Sequence, residues 1–163
     1  MGKQPTLVDL STIDWNTVVR TREQIRQYNP HRFEMELLTA VAYEDDEKRI
    51  AVGYQDVPAD AFWCRGHMPG FPLMPGVIIC ECAAQLASYY AIKLECITQG
   101  IVGLGGLDQV KFRGIVRPGD RLVLITRLAR VRHNMMVIDF EAAVDNEIVA
   151  EGQIKGIAIP TSV

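Results

Sequence analysis

The feature that most constrains the fold of this chain is a long apolar stretch that directly follows a loop rich in proline and glycine. The loop, residues 66–76, holds three prolines and three glycines, so its backbone must follow a fixed, turned path. Pro75 supplies the backbone angle that suits the first turn of a helix. Residues 77–94 contain no proline or glycine and are too many for one strand, so the sequence predicts a helix there.

The predicted helix is apolar on all sides, which indicates that it is buried nearly all round. Before Lys93, only Glu81, Gln85 and Ser88 interrupt the apolar residues, and their spacing places them on one stripe of the helix. A buried carboxyl group is costly unless it is neutralised or has a partner. Glu81 is therefore a candidate functional residue.

Composition argues against several classes of function. At 163 residues the chain is long enough for one well-packed domain, and its net charge of −3 argues against binding to nucleic acid. Charges and prolines interrupt the long apolar runs, and the N-terminus lacks the apolar region of a signal peptide, so we expect a cytoplasmic protein without a membrane span. Cys80 and Cys82 would point in different directions on a helix, which argues against a metal site.

Around the helix, the pattern predicts one domain over 21–163, preceded by an N-terminal extension over 1–20. The segment Thr21 to Gln24 fits a capping box that opens a short helix. Alternating apolar residues and turn signals predict strands over 33–43, 49–57, 107–116, 121–131, 135–144 and 147–159. Asp145-Asn146 suits a two-residue hairpin turn, and Gly105-Gly106 suits a bulge or bend. Two strands, one buried helix and about four antiparallel strands predict an α+β fold in which the sheet wraps the helix.

The loop and helix carry a motif that reads His67-x-Pro69-Gly70-x-Pro72-x-x-Pro75-Gly76-Val77-x-x-x-Glu81-x-x-x-Gln85. This motif resembles the signature of the bacterial beta-hydroxyacyl-acyl-carrier-protein dehydratases of the FabA/FabZ type. Residues 30–32 (PHR) and 112–120 (FRGIVRPGD) resemble segments at the same relative places in that family. The resemblance covers about residues 20–159. Glutamate at 81 is similar to the FabZ branch, whereas residues 73–76 are closer to the FabA branch.

The resemblance implies a hotdog fold, in which a curved antiparallel sheet wraps a long central helix. It also implies a dehydratase that removes water from a beta-hydroxyacyl thioester, giving the trans-2-enoyl thioester in fatty acid or related lipid biosynthesis. The catalytic histidine and the acidic helix residue of the family match His67 and Glu81. Neither a metal nor an organic cofactor is expected.

These residue types suit the two halves of such a reaction. A neutral His67 imidazole can remove the C2 proton, and Glu81, kept protonated by apolar neighbours, can give a proton to the leaving C3 hydroxyl. The backbone N–H of Gly76, at the start of the helix, can bind the thioester oxygen. Gln85 either orients Glu81 or only bonds the backbone, and the sequence leaves both readings open.

The resemblance implies a homodimer whose sheets join, with His67 of one subunit facing Glu81 of the other. A hexamer built as a trimer of dimers is left open. An apolar acyl tunnel along the helix is expected to be lined by Phe71, Leu73, Met74 and Ile78. In contrast, His31 and His133 are predicted to be structural, at a strand start and in a turn.

A group of basic residues after the helix suggests a partner. Lys111, Arg113 and Arg117 would share one face if they lay on a regular strand. Such a face would attract an acidic acyl carrier protein or the phosphates of coenzyme A. An ordinary solvated face fits the pattern equally well.

Two other functions compete with the dehydratase. A hotdog acyl thioesterase would need its acidic or water-positioning group in a different arrangement, so the motif argues against it. A non-catalytic acyl-binding module is disfavoured because both His67 and Glu81 are present. Hydration of a crotonyl thioester without release of thiol would distinguish the dehydratase from both.

Overall fold

The computed structural model describes residues 2–161. Its helices and strands in chain order are β1 (Arg20–Thr21), α1 (Arg22–Ile25), β2 (Ala40–Asp45), β3 (Ile50–Asp56), α2 (Gly76–Lys93), β4 (Ile101–Phe112), β5 (Arg121–Arg132), β6 (Met135–Val144) and β7 (Glu147–Ile159). The strands form one antiparallel sheet in the order β1-β2-β3-β5-β6-β7-β4, and α2 packs against it. The predicted α+β arrangement is confirmed. Within residues 2–161, no helix is long and apolar enough to cross a membrane.

The long helix α2 is buried against the sheet along most of its length. Leu86 and Tyr89 are fully buried in the main core, as their place in an apolar run predicts. The face that carries Val77, Glu81 and Ala84 is different, because Val77 is 68% exposed and the other two are half-buried. These residues lie at i, i+4 and i+7, so they form one open stripe. The prediction of burial all round is therefore wrong on this face of a single chain.

The C-terminal end of α2 is tied to the end of β2 and the turn after it. The Tyr89 hydroxyl donates to Glu44, and the Tyr90 hydroxyl donates to Asp46 at 2.9 Å. Lys93 Nζ binds both carboxylate oxygens of Asp46, at 2.6 and 2.7 Å. The bonds from Lys93 and Tyr90 lower the pKa of Asp46, and burial raises the pKa of both tyrosines. The tyrosines therefore stay protonated donors and hold this end of the helix.

Several local sequence signals form the structures that they predict. Thr21 and Gln24 make both bonds of a capping box at the start of α1. Asp145 and Asn146 have φ of 50° and 63°, as a type I′ hairpin turn requires at both central positions. The pairing of β4 with β7 shifts register between 104 and 106, which is the expected bulge. Because the glycine-rich segment pairs with β7 as well, β4 begins before the predicted strand.

The predicted strand over 33–43 is wrong in its first half. Phe33–Met35 form a 3-10 turn, and β2 begins only at Ala40. The buried side chain of Gln85 replaces the missing ladder bonds: its Nε2 donates to the Met35 carbonyl at 2.8 Å, and its Oε1 accepts from the Leu37 N–H at 3.2 Å. A side chain from the distant helix therefore keeps this segment out of the sheet.

The segment before β1 covers the face of the sheet that points away from α2. Leu10 and Ile13 are buried in a second core with Val52 and Ile125. Ala51, the residue before Val52 on β3, faces the main core instead, because successive residues of a strand point to opposite faces. Glu141 is also buried there and accepts hydrogen bonds from the N–H and hydroxyl of Thr6, at 2.8 and 2.6 Å, and from the Leu7 N–H at 3.0 Å. Residues 6–13 are therefore packed as part of the fold.

Truncating Leu10 should lower stability without changing the chemistry. Replacing this buried side chain with alanine should reduce the free energy of unfolding by about 2 kcal/mol, because apolar contacts are lost and a cavity is left. Urea denaturation at one fixed protein concentration measures the change. In the same segment, Val18 is 46% exposed, and Val18→Ala should change the free energy by less than about 0.5 kcal/mol. Equal effects of the two substitutions would show that the segment does not pack as described.

Candidate active site

The loop before α2 fixes His67 by its backbone and by its ring. The His67 N–H donates to the Trp63 carbonyl at 2.8 Å, and the Leu73 N–H donates to the His67 carbonyl at 3.0 Å. The ring Nδ1 lies 2.9 Å from the Leu73 carbonyl oxygen. Because a carbonyl can only accept, Nδ1 must carry the hydrogen, and the lone pair of the neutral ring is then on Nε2. In this tautomer Nε2 is the ring nitrogen with a free lone pair, which is what a base requires.

Glu81 lies on the open stripe of α2, with about a quarter of its side chain exposed (25%). Its Oε1 accepts a hydrogen bond from Gln85 Nε2 at 2.9 Å. The same Gln85 amide bonds the backbone of Met35 and Leu37, so both ends of the amide are engaged and its orientation is fixed. Gln85 therefore does more than bond the backbone, since it also contacts Glu81, and its role in orienting Glu81 stays a prediction.

A cavity of about 110 Å³ opens beside Glu81, between α2 and the strands β4, β6 and β7. The strands contribute apolar side chains to its wall, namely Val102, Leu104, Met136, Ile138 and Ile154, and the helix contributes the polar stripe of Glu81, Gln85 and Ser88. A dry cavity of about 150 Å³ can hold a benzene molecule, so this one has room for a few carbon atoms. The cavity is suited to a short apolar group whose polar end lies at Glu81.

The four predicted tunnel residues lie outside this cavity in the single chain. Phe71 is exposed beneath the Arg117 guanidinium, which is 5.2 Å from the ring centroid. Met74 is buried, and Leu73 and Ile78 are half-buried. Their role in a tunnel stays a prediction.

Gly76 is the first residue of α2, and no side chain of the described residues 2–161 caps this end of the helix. Its N–H is therefore available to a ligand. A Cβ at this position would lie 2.7 Å from the ring of Phe112, so glycine is required while that ring stays in place.

The basic residues do not form the predicted common face. The pairing of β4 shifts register between Asp108 and Lys111, and the strand ends at Phe112. The shift precedes Lys111, which lies opposite Glu151 on β7, so it does not separate Lys111 from Arg113, whose guanidinium pairs with the same Glu151 at 2.6 Å. Arg117 lies beyond the end of the strand, where its guanidinium is over the ring of Phe71.

His31 is the residue that sequence reasoning missed. It begins no strand, contrary to the prediction, and its Nε2 lies 3.4 Å from Glu81 Oε1. The PHR triplet was the available signal, but nothing local in it indicates contact with a helix fifty residues later. His133 occupies a turn with φ of 53°, as predicted.

The structure does not bring His67 and Glu81 together in one chain. Within residues 2–161, no hydrogen bond or ion pair joins them, and each has other neighbours, Leu73 for His67 and Gln85 for Glu81. A site that used both side chains would need them from two copies of the chain.

Comparison with known proteins gives concordant matches. A family model described as FabA-like domain matches residues 29–153. A 3-hydroxyacyl-[acyl-carrier-protein] dehydratase FabZ from Bacillus cytotoxicus is 39% identical over 132 residues, which cover 81% of this chain and 91% of that protein. A FabZ from Streptococcus equi subsp. zooepidemicus is 33% identical over 132 residues, covering 81% and 93%. The dehydratase heterocomplex ApeI:P from Xenorhabdus doucetiae matches with a TM-score of 0.68 at 17% identity, covering 84% of this chain and 91% of that one, which shows a shared fold.

Proposed function

The chain belongs to the FabA-like family and is a 3-hydroxyacyl-acyl-carrier-protein dehydratase of the hotdog fold, and we propose that His67 and Glu81 carry out its reaction. His67 is the base, and Glu81 of a second subunit is the acid. The observation that carries the proposal is the setting of His67, whose ring donates from Nδ1 to Leu73 and so leaves Nε2 free to take a proton.

The reaction is a loss of water without a covalent intermediate. His67 Nε2 takes a proton from C2 of the substrate, and the electrons of that C–H bond form the C2–C3 double bond. The C3–O bond breaks, and Glu81 gives its proton to the leaving oxygen, so that water is released. The proton then returns from His67 to the carboxylate of Glu81. His67 must start neutral and Glu81 must start protonated, which predicts a bell-shaped dependence of rate on pH.

A homodimer would bring the two side chains together. In support, β4 is an edge strand of twelve residues, and edge strands are templates for pairing with another chain. Apolar side chains are exposed on this strand and around the open stripe of α2, including Leu104, Phe112 and Val77. Pairing of β4 with its counterpart would extend the sheet across two subunits and cover these side chains. A hexamer as a trimer of dimers remains open in this proposal.

The thioester is placed between the two catalytic side chains. The uncapped N–H of Gly76 would bind its oxygen, helped by the positive end of the helix dipole, as negative charge develops there. The acyl chain would enter the apolar cavity beside Glu81. Phe71, Leu73, Met74 and Ile78 would form the wall nearer to His67.

Acyl carrier protein is the proposed carrier of the substrate, with coenzyme A as the alternative. Arg117 is well placed to meet its acidic surface, because the guanidinium lies over Phe71 in the loop that holds His67. Lys111 and Arg113 would add to the attraction, although Arg113 is already paired with Glu151. The cytoplasmic location expected from the sequence stays a prediction.

The activity is tested by adding the purified chain to crotonyl thioesters of acyl carrier protein and of coenzyme A. We expect the enoyl absorbance to fall as water adds across the double bond, with no release of free thiol. A dye that reacts with thiols, used in a parallel assay, is the control. Thiol release at the rate of substrate loss would contradict the dehydratase and favour a thioesterase.

A further inference from the structure

We infer that His31 is a positioning residue for the acid: its Nε2–H donates to Oε1 of Glu81, so that Oε2 is the oxygen that carries and delivers the proton. The inference rests on the proposed role of Glu81 as the acid. It assigns a task to a histidine that the sequence suggested was only structural.

The position of His31 is fixed by bonds between its loop and α2. Asn29 Nδ2 donates to the Gln85 carbonyl at 2.8 Å, which ties the loop to the helix one turn after Glu81. Arg32 Nη1 donates to the carbonyls of Asn29 and His31, at 2.8 and 2.6 Å. With the backbone so held, the His31 ring lies beside Glu81, and Nε2 is 3.4 Å from Oε1, so a small rotation of the ring would direct the Nε2–H at that oxygen.

The surroundings of the ring select its protonation state. His31 Nδ1 is buried and has no hydrogen-bond partner within residues 2–161. A hydrogen on Nδ1, in the imidazolium or in the other neutral form, would be a buried donor without an acceptor, and the charged ring would add a desolvation cost. The neutral form with its hydrogen on Nε2 avoids both costs and places that hydrogen on the nitrogen nearest to Glu81.

Two donors then converge on one oxygen of the acid. Gln85 Nε2 and His31 Nε2 both approach Oε1 of Glu81, whereas Oε2 accepts no hydrogen bond from any residue in the described range 2–161. With the lone pairs of Oε1 engaged, the acidic proton belongs on Oε2. That oxygen is free to turn toward the C3 hydroxyl of the substrate.

Few charged or titratable groups face Glu81 apart from His31. The neighbouring strands β4, β6 and β7 present apolar side chains or glycine to the cavity. On α2, burial raises the pKa of the Cys82 thiol, so this neighbour stays neutral. Arg32 is engaged with backbone carbonyls, and in the proposed dimer His67 of the second subunit would face Glu81 across the substrate. Removing the His31 donor should therefore leave the carboxylate form of Glu81 with one hydrogen bond fewer.

The first test compares His31→Leu with His31→Gln, whose amide nitrogen can take the place of Nε2. Rates of dehydration of a 3-hydroxybutyryl thioester, followed as a rise in enoyl absorbance, are measured across pH, and each variant is checked for melting temperature. For the leucine variant we expect about a tenfold fall in kcat and an upward shift of the alkaline limb by about half to one pH unit, the size of one lost hydrogen bond. The glutamine variant should keep the limb of the wild type. An unmoved limb in a folded leucine variant would overturn the inference.

The second test needs no turnover and reads the hydrogen positions in the wild-type protein. Long-range ¹H–¹⁵N NMR of the wild-type side chains reports which nitrogen of each histidine carries the hydrogen, with His31 assigned from the spectrum of His31→Gln. We expect a neutral His31 with its hydrogen on Nε2 at pH 7.5. An imidazolium, or a hydrogen on Nδ1, would overturn the inference. If the wild type fails the hydration assay but shows the expected form, the proposed function fails and the contact stands.

Discussion

Replacing His67 with asparagine should lower kcat/KM for thioester hydration by about 10³-fold, since a positioned general base contributes 10²–10⁴. The asparagine amide can still donate to the Leu73 carbonyl, which His67 Nδ1 contacts at 2.9 Å, so the loop should keep its conformation. The variant has no basic nitrogen to take the C2 proton in dehydration or, in the reverse step, to return it to C2 in hydration. Initial rates with crotonyl thioester, together with the melting temperature, measure the two effects separately.

His133→Asn is the matched control for this substitution. His133 lies in a turn with φ of 53°, a conformation that asparagine tolerates well, and the turn is between β5 and β6. This variant should keep wild-type activity. If His67→Asn retained more than about a tenth of wild-type activity, His67 could not be the base.

Replacing Glu81 with glutamine should lower the rate by 10²–10⁴, because the amide keeps the shape of the carboxyl but has no acidic proton to deliver. Steady-state rates of dehydration across pH are the measurement. The fall in rate at high pH, which reports loss of the proton from the acid, should be absent from this variant. Glu95→Gln changes an exposed carboxyl just beyond the end of α2 and should have no effect. Full hydration activity in Glu81→Gln would show that Glu81 is not the acid.

The same two variants test whether the site is shared between subunits. When His67→Asn and Glu81→Gln chains are mixed and allowed to reassociate, about half of the dimers should be mixed, and one of the two sites in each should be intact. Activity should recover to about a quarter of the wild-type value, starting from two nearly inactive preparations. A mixture as inactive as its components, although exchange of subunits is shown by a tag, would mean that each site lies in one chain.

The parts of the fold that the sequence predicts well are those set by local chemistry. Pro75 and the following run without proline or glycine predict both ends of α2 to within one residue. The tolerance of Asp145 and Asn146 for positive φ predicts the turn that they form. The strand predicted from Phe33 failed because Gln85, far along the chain, bonds the backbone at residues 35 and 37. Tertiary contact overrode a weak local pattern there.

The residues of the candidate site also fall into those that the local sequence predicts and those that it does not. His67 and Glu81 could be identified because a motif of fixed spacing contains both. His31 could not, since its contact with Glu81 exists only after the loop has folded onto α2. The common face of Lys111, Arg113 and Arg117 failed because β4 ends at Phe112, before Arg117, and the spacing of basic residues alone does not show where a strand ends.

The two ends of α2 differ in how they are restrained. Tyr89, Tyr90 and Lys93 are bonded to carboxylates of the β2 end and its turn, whereas Val77 at the other end stays 68% exposed within residues 2–161. In the proposed dimer, the open stripe near this end is the part of α2 that a second subunit would cover. Substitutions on the stripe should therefore change subunit contact and the candidate site together, whereas substitutions at the opposite end should act on the stability of the single chain.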